Sequence, residues 1–262
     1  MNKNKETFDK KWILLTNDDG YSSPGIKALA RSLRKVARVF VVAPDRERSA
    51  IGHGLTFFNP IRAHEIRNDD GLVIYKSDGT PTDCVLLGIH QLMETPPDLV
   101  ISGINRGANL GDDVTYSGTV GAAMEGAIQA IPSIAVSLNS MEEFDFESAA
   151  RFTAGIAEIL LQKKLPDGVF LNINIPAIDF SLVKGVEITF QGRSIYHQKI
   201  VKRVDPKGNN YYWITGATPD GEPIEGSDFW AVKNNSISIT PLHLSLTNMS
   251  YIDELKNWKF SI

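Results

Sequence analysis
Short apolar runs alternate along the first two thirds of the chain with stretches whose apolar residues recur at helical spacing. Ile13-Leu14-Leu15 is apolar at every position, the pattern of a strand buried on both faces of a parallel sheet. It stops abruptly at Asn17-Asp18-Asp19-Gly20. Ile26, Leu29, Leu33 and Val36 then predict a helix, with Ser23 as its expected N-cap and Pro24 at the first helical position. Val39–Ala43 predicts a second buried strand, Leu55–Ile66 an extended segment and Leu72–Tyr75 a short strand. Val85, Leu86, Ile89 and Leu92 form the stripe of a second helix, for which Thr82 is the expected N-cap. Further strands are predicted at Asp98–Ile104, Ile134–Leu138 and Val169–Ile175, separated by helices over Val120–Ala130 and Glu147–Lys164.

Strands alternating with helices predict an α/β fold whose mostly parallel sheet is covered on both faces. Beyond Lys184 the pattern changes. Glu187–Phe190, Lys199–Val204, Tyr211–Thr215 and Ser236–Thr240 read as strands without helices between them, and Pro206–Asn210 reads as a hairpin turn. A C-terminal β-hairpin arm within residues 191–240 is therefore expected. Tyr211 and Trp213 would share one of its faces and Tyr212 the other, so a monomer would expose an aromatic residue and the arm is expected to build an oligomer. No composition break marks a second domain, so residues 11–262 are expected to form one domain, with residues 1–10 frayed.

Composition narrows the function classes. The chain has 262 residues, 42% hydrophobic and 22% charged, an ordinary globular balance. Its net charge of −4 offers no broad basic field for a nucleic acid polymer. Cys84 is the only cysteine, which excludes an intrachain disulfide and points to a reducing compartment. The N-terminus lacks the apolar core of a signal peptide, and no apolar run reaches the length of a membrane span. A cytoplasmic protein that does not engage a membrane is expected.

Ligands of an open α/β sheet gather beyond the carboxyl ends of its strands. Three polar stretches fall there: Asn17–Gly20, the loop around Ser49, and Gly103–Gly111. Alone, NDDG reads first as an Asp-rich turn capping a helix. Asp18 and Asp19 can reach one point only if the backbone turns there, and Gly20 permits that turn. Two carboxylates with a hydroxyl and an amide oxygen would make an all-oxygen site suited to Mg²⁺ or Mn²⁺, and the scarcity of His and Cys argues against zinc. Ser117, Gly118 and Thr119 lead directly into a predicted helix, where free N–H groups, the helix dipole and two hydroxyls suit a phosphate. Gly121, Ala122 and Ala123 are expected to let that helix pack close to the sheet. Neither GxxxxGK[ST] nor GxGxxG is present, so this is not a P-loop or a dinucleotide fingerprint.

ILLTNDDGYSSPGI, VVAPDRERSAIGHGLT, GTPTDCV, DLVISGINRGANLGDDVTYSGTVGAAMEG and a weaker SITPL together resemble the SurE family, the stationary-phase survival proteins, which are metal-dependent 5′/3′-nucleotidases. The likeness runs from Ile13 to about Leu242. It implies a three-layer, Rossmann-like α/β/α fold, with C-terminal segments exchanged in a homodimer or homotetramer. It further implies one divalent ion per subunit, Mg²⁺ or Mn²⁺, held by Asp18, Asp19, Ser49 and Asn105, with Ser117 and Thr119 on the substrate phosphate around Gly118. The implied reaction is hydrolysis of a nucleoside monophosphate by metal-activated water, with Asp18 or Asp19 also able to take the water's proton. EGSDFWAV stands where EGTD is usual, so the C-terminal third departs most from the family pattern.

Other residues carry open or plainer readings. His53 could be a nearby acid or phosphate contact, or a loop histidine satisfied by backbone. Arg46 and Arg48 could attract an anion or lie solvated; Asn109, Asp112 and Asp113 read as loop-shaping, Asp83 as part of a first helical turn, and Cys84 as core. Two other functions compete. An aspartyl-nucleophile phosphatase of haloacid-dehalogenase type needs carboxylates spaced DxD, whereas these are adjacent. A nucleotide-binding regulatory protein without turnover has no need of an activated water.

Overall fold
Ile13 and Leu15 pack to one side of the first strand and Leu14 to the other, and the layers of the molecule follow from that alternation. The structure, a computed structural model, describes residues 11–67, 72–140, 145–196, 199–215, 220–222 and 224–260. The expected fraying of residues 1–10 lies outside them, as do parts of the expected arm.

The main strands are β1 (Trp12–Thr16), β2 (Arg38–Pro44), β3 (Ala63–Arg67), β4 (Val73–Ser77), β5 (Leu99–Arg106), β6 (Ser133–Asn139), β7 (Val169–Pro176) and β8 (Val186–Ile188). Short β9 (Ser194–Ile195), β10 (Lys199–Val204), β11 (Asn210–Thr215) and β12 (Asp220–Gly221) precede β13 (Ile237–His243). The helices are α1 (Pro24–Leu33), α2 (Pro81–Leu87), α3 (Gly118–Ile128), α4 (Glu147–Leu160), α5 (Asp228–Lys233) and α6 (Ile252–Lys256). Nine strands form one sheet in the order β3-β4-β2-β1-β5-β6-β7-β13-β8. From β4 to β7 every neighbouring pair is parallel, while β3 and β13 join antiparallel to β4 and β7. The chain leaves β1 towards β2 on one side and returns to β5 on the other, so the strand order reverses at β1 and a crevice opens beyond its carboxyl end.

Helices α1 and α4 cover one face, where Ile26, Leu29, Leu33, Ala150 and Ala157 meet Ile13, Leu15, Val41 and Ile101. On the other face α2 and α3 bring Cys84, Val85 and Ala122 against Leu14, Val42 and Val100. Cys84 is core, as expected. Burial pushes its thiol far up and keeps it protonated.

Several local expectations are corrected. The N-cap of α2 is Thr80, not Thr82: its hydroxyl accepts the Asp83 N–H at 3.0 Å while Asp83 accepts the Thr80 N–H at 2.8 Å, a capping box. Pro81 takes the first helical position and Thr82 falls inside the helix. Ser23 does stand at the N-cap of α1, but its hydroxyl accepts from Asn17 Nδ2 at 2.8 Å and caps nothing. Of Leu55–Ile66 only the end forms a strand, because residues 55–62 follow the loop rather than the sheet. The helix expected to run to Lys164 stops at Leu160. Gly121 faces not the sheet but the loop carrying His53; it is Gly126 that meets the sheet, at Val100 and Ser133.

The C-terminal third contains a helix the pattern did not predict, α5, and its last predicted strand belongs to the main sheet as β13, between β7 and β8. The projecting part of the expected arm is the hairpin β10–β11, which forms a sheet of its own. Tyr212 (60%) and Trp213 (61%) are exposed on its opposite faces.

Thr80→Ala removes both the cap and the 2.7 Å bond from the Thr80 hydroxyl to the Gly54 carbonyl. The expected outcome is a loss of about 1–2 kcal/mol of unfolding free energy with an unchanged denaturant slope. A loss below about 0.3 kcal/mol would show that neither bond supports the fold.

Candidate metal centre and phosphate loop
The site begins where β1 ends. Gly20 turns the chain at a φ of +95°. Asn17 braces that turn from inside, donating Nδ2 to the Gly20 carbonyl at 3.0 Å and to Ser23. The turn sets Asp18 and Asp19 side by side at the crevice, with Asp18 buried and Asp19 half-buried.

The expected convergence of three loops is present. Arg48, the residue before Ser49, donates its N–H to the Asp18 carbonyl at 2.8 Å. Arg106, the residue after Asn105, donates its N–H to Asp19 Oδ2 at 3.0 Å. A register shift in β5 between Ser102 and Asn105 prepares this approach, and Gly103 sits in it at a φ of +143° with the Val136 carbonyl where a Cβ would go. The side chain of Asn105 donates Nδ2 to the Gly107 carbonyl at 2.8 Å, which leaves its Oδ1 as an acceptor for a cation. The Ser49 hydroxyl donates to Glu47 Oε1 at 2.7 Å and keeps its lone pairs.

Helix α3 closes the site from the other side. Gly118 lies so near that a Cβ there would stand 3.0 Å from the Asp18 Cβ. Thr119 donates its hydroxyl to Asp18 Oδ1 at 2.6 Å and its N–H to Asp18 Oδ2 at 3.1 Å. Thr119 is fully buried and its hydroxyl proton is engaged by Asp18, where a substrate phosphate is expected from the sequence. Ser117 caps α3 by accepting the Val120 N–H at 3.1 Å, and its own proton is not used in that bond.

The charges in this crevice oppose one another. Burial pushes the Asp18 carboxyl up, against the hydrogen bonds from Thr119, and the charge of Glu47 adds to the push. Burial and the neighbouring Asp18 charge push Asp19 up to about 6, against the N–H and charge of Arg106. Asn17 Oδ1 is buried without a hydrogen-bond partner beside them. A cation would relieve all three strains, and the donor set of two carboxylates, a hydroxyl and an amide oxygen fits Mg²⁺ or Mn²⁺. Among the described residues no group of three or more His, Cys, Asp or Glu side chains is placed to hold a metal ion.

Glu47 is the contributor the sequence reading missed. It sits in a run of charges that gives no sign of which one acts on the pair. His53 is now assigned. Along α3 the loop lays Ile51 on Gly118 and Gly52 and His53 on Gly121, and His53 Nε2 meets Glu125 Oε2 at 2.8 Å. Glu125 is seven residues from Gly118, about 10 Å along the helix, so His53 pins the loop and does not face the carboxylates. Asn109 shapes its loop, as expected, bonded through backbone and side chain to Asn174, Asn172 and Ser137. Arg48 donates its guanidinium to the Asp78 carbonyl, while Arg46 stays exposed.

A doubly wound α/β sheet with an acidic, all-oxygen pocket at its switch point and a capped helix aimed into it defines a class of cation- and phosphate-handling proteins. The model of the family "Survival protein SurE" matches residues 13–198. A protein of Geobacter sulfurreducens named 5′-nucleotidase SurE is 52% identical over 95% of this chain and 94% of its own length. The one of Moorella thermoacetica is 50% identical over 93% and 94%. The crystal structure of the SurE protein from Aquifex aeolicus superposes with a TM-score of 0.81 at 46% identity, covering 94% of this chain and 98% of that one. This chain belongs to the SurE family.

One prediction follows from the raised carboxyl of Asp19. Between the ordinary aspartate value of 3.8 and about 6 the folded, metal-free protein holds a proton on Asp19 that the unfolded chain has released. Its stability therefore falls as pH rises through that window. In EDTA, Asp19→Asn should flatten this part of the Tm–pH curve and raise Tm at pH 7, while abolishing the Tm increase that Mn²⁺ gives the parent protein. A parent curve that rises from pH 4 to 6 in both proteins alike would refute it.

Proposed function
We propose that the chain is a cytoplasmic, divalent-metal-dependent phosphomonoesterase releasing phosphate from nucleoside 5′-monophosphates, with 3′-monophosphates as further substrates. The observation that carries the reading is buried Asp18, bonded to the N-terminus of α3, with half-buried Asp19 beside it. The relatives named 5′-nucleotidase SurE support the substrate class.

Asp18, Asp19, Ser49 and Asn105 would hold one Mg²⁺ or Mn²⁺. When bound, that ion supplies Lewis acidity at a phosphate oxygen and acidifies a water. Ser117 Oγ–H and the Gly118 N–H bind the phosphate and stabilise the charge that grows on it during transfer. Thr119 fixes both oxygens of Asp18. Asp19 is the more exposed of the pair, and with Oδ2 held by Arg106 it takes the water's proton at Oδ1. An aspartyl-nucleophile route fits less well, because both oxygens of Asp18 already accept hydrogen bonds and are screened by Thr119.

Phosphate release from AMP should require Mn²⁺ or Mg²⁺ and stop in EDTA, and Asp18→Asn should abolish it with the fold intact. Thr119→Val should raise the Mn²⁺ concentration for half-maximal activity about 10- to 100-fold, the scale for losing a group that orients a ligand. Activity of the parent in EDTA would overturn the reading. A Thr119→Val defect confined to the KM for AMP would return Thr119 to the phosphate.

The assembly is proposed to be a homodimer or homotetramer built through β10–β11. Ile200 and Ile214 are 73% and 76% exposed there, and an isolated hairpin with apolar residues on both faces has little to stabilise it in a monomer. Sedimentation should find a dimer or tetramer at micromolar concentration; a stable monomer would refute this.

A further inference from the structure
Ser117 and Gly118 account for a phosphate, but no group described so far accounts for a nucleoside. Tyr116 immediately precedes them, and its ring is 56% exposed. It stands edge-on to Tyr196, with centroids 6.3 Å apart and planes at 83°. Tyr196 is brought there from the C-terminal third by a set of long-range hydrogen bonds. Its hydroxyl donates to Asp113 Oδ1 at 2.7 Å. Ser194 donates its N–H to Asp112 Oδ2 at 3.0 Å and accepts the Asp112 N–H at 3.0 Å. The buried carboxylate of Asp228 ties the two segments together again, accepting the N–H of Gly111 at 2.8 Å and of Gly192 at 2.9 Å.

Resting on the phosphomonoesterase reading above, we propose that Tyr116, buttressed by Tyr196, is the platform on which the base of the nucleoside monophosphate stacks. In an edge-to-face pair at least one ring keeps a face open for a third ring. Tyr116 is two residues from Gly118, at most about 7 Å along the chain, within the reach of a nucleotide from phosphate to base. The Tyr196 hydroxyl is engaged by Asp113, so the pair offers a π face and a fixed shape, not a reader of base edges. Stacking of that kind accepts any base. The platform therefore selects nucleotides over baseless phosphate esters while discriminating weakly among bases. Phe57 and Phe58 are more exposed still, but they follow Gly54 and Thr56, which are bonded to Thr80 and Asp83 at the start of α2, and their rings contact each other at 5.9 Å.

The test compares kcat/KM for AMP and for ribose 5-phosphate, which is AMP without its base, in Mn²⁺. The parent protein should prefer AMP by roughly 5- to 100-fold, the range of one aromatic–base stack. Tyr116→Ala should lose that preference with ribose 5-phosphate turnover unchanged, and Tyr116→Trp should restore it. Adenosine should inhibit AMP hydrolysis competitively in the parent and in Tyr116→Trp, and not in Tyr116→Ala. Equal losses on both substrates would mean that the ring merely props the phosphate loop, and would overturn the proposal. So would an unchanged preference in Tyr116→Ala. A parent that hydrolyses AMP and ribose 5-phosphate equally would overturn the platform and leave the phosphomonoesterase reading standing. A parent that hydrolyses neither would overturn both.

Discussion
Two adjacent carboxylates at the buried end of the first strand are the constraint on which the rest depends. Like charges so placed are costly for a fold, and the surrounding chain answers with oriented hydrogen-bond donors and the charge of Arg106. Asp18 takes two hydrogen bonds from Thr119, and Asp19 takes one from the Arg106 backbone. These donors steady the pair without neutralising it, since both carboxyls remain raised above their usual range. A protein that merely needed a turn after β1 would have little reason to keep that imbalance. The imbalance fits the cation proposed for the site, since stability is given up where function needs it.

Close backbone approach is the means. Gly103 meets the Val136 carbonyl and Gly121 the Gly52 carbonyl at distances no side chain would allow, and Gly118 lies tight against Asp18. These contacts bring three loops and one helix end to the same crevice. The His53–Glu125 pair then locks the Ser49 loop along α3 from a point remote from the chemistry. The donors of the site are held by backbone geometry more than by packing of their own side chains, which suits a centre whose ligands must keep fixed directions.

Much of this was legible in the sequence because it was written in local patterns. Continuous apolar runs revealed β1, β2, β5, β6 and β7, and their carboxyl ends located the three loops. What was not legible depended on contacts between distant residues. The bond from Thr119 to Asp18 joins residues 101 positions apart, and nothing nearby in sequence shows it. Thr80 and Thr82 both precede the same apolar stripe, and only the reciprocal bond to Asp83 separates them. Gly121 and Gly126 are alike in sequence, yet one faces a loop and the other the sheet. Helix α5 is too short to show a period, and β13 joins the sheet by pairing with β7, about seventy residues earlier.

The bonds from Gly111 and Gly192 to Asp228 bear on the order in which the molecule can be completed. All the proposed cation donors and the start of α3 lie before residue 120, within the half of the chain that is made first. The loop joining them to α3 is nevertheless fastened by a carboxylate more than a hundred residues later. A nascent chain can thus display its acidic pair well before the loop beside it has a settled shape. The fastening of Gly111 waits on the last quarter of synthesis, and a chain cut short there would carry every proposed cation donor with the loop before α3 unanchored.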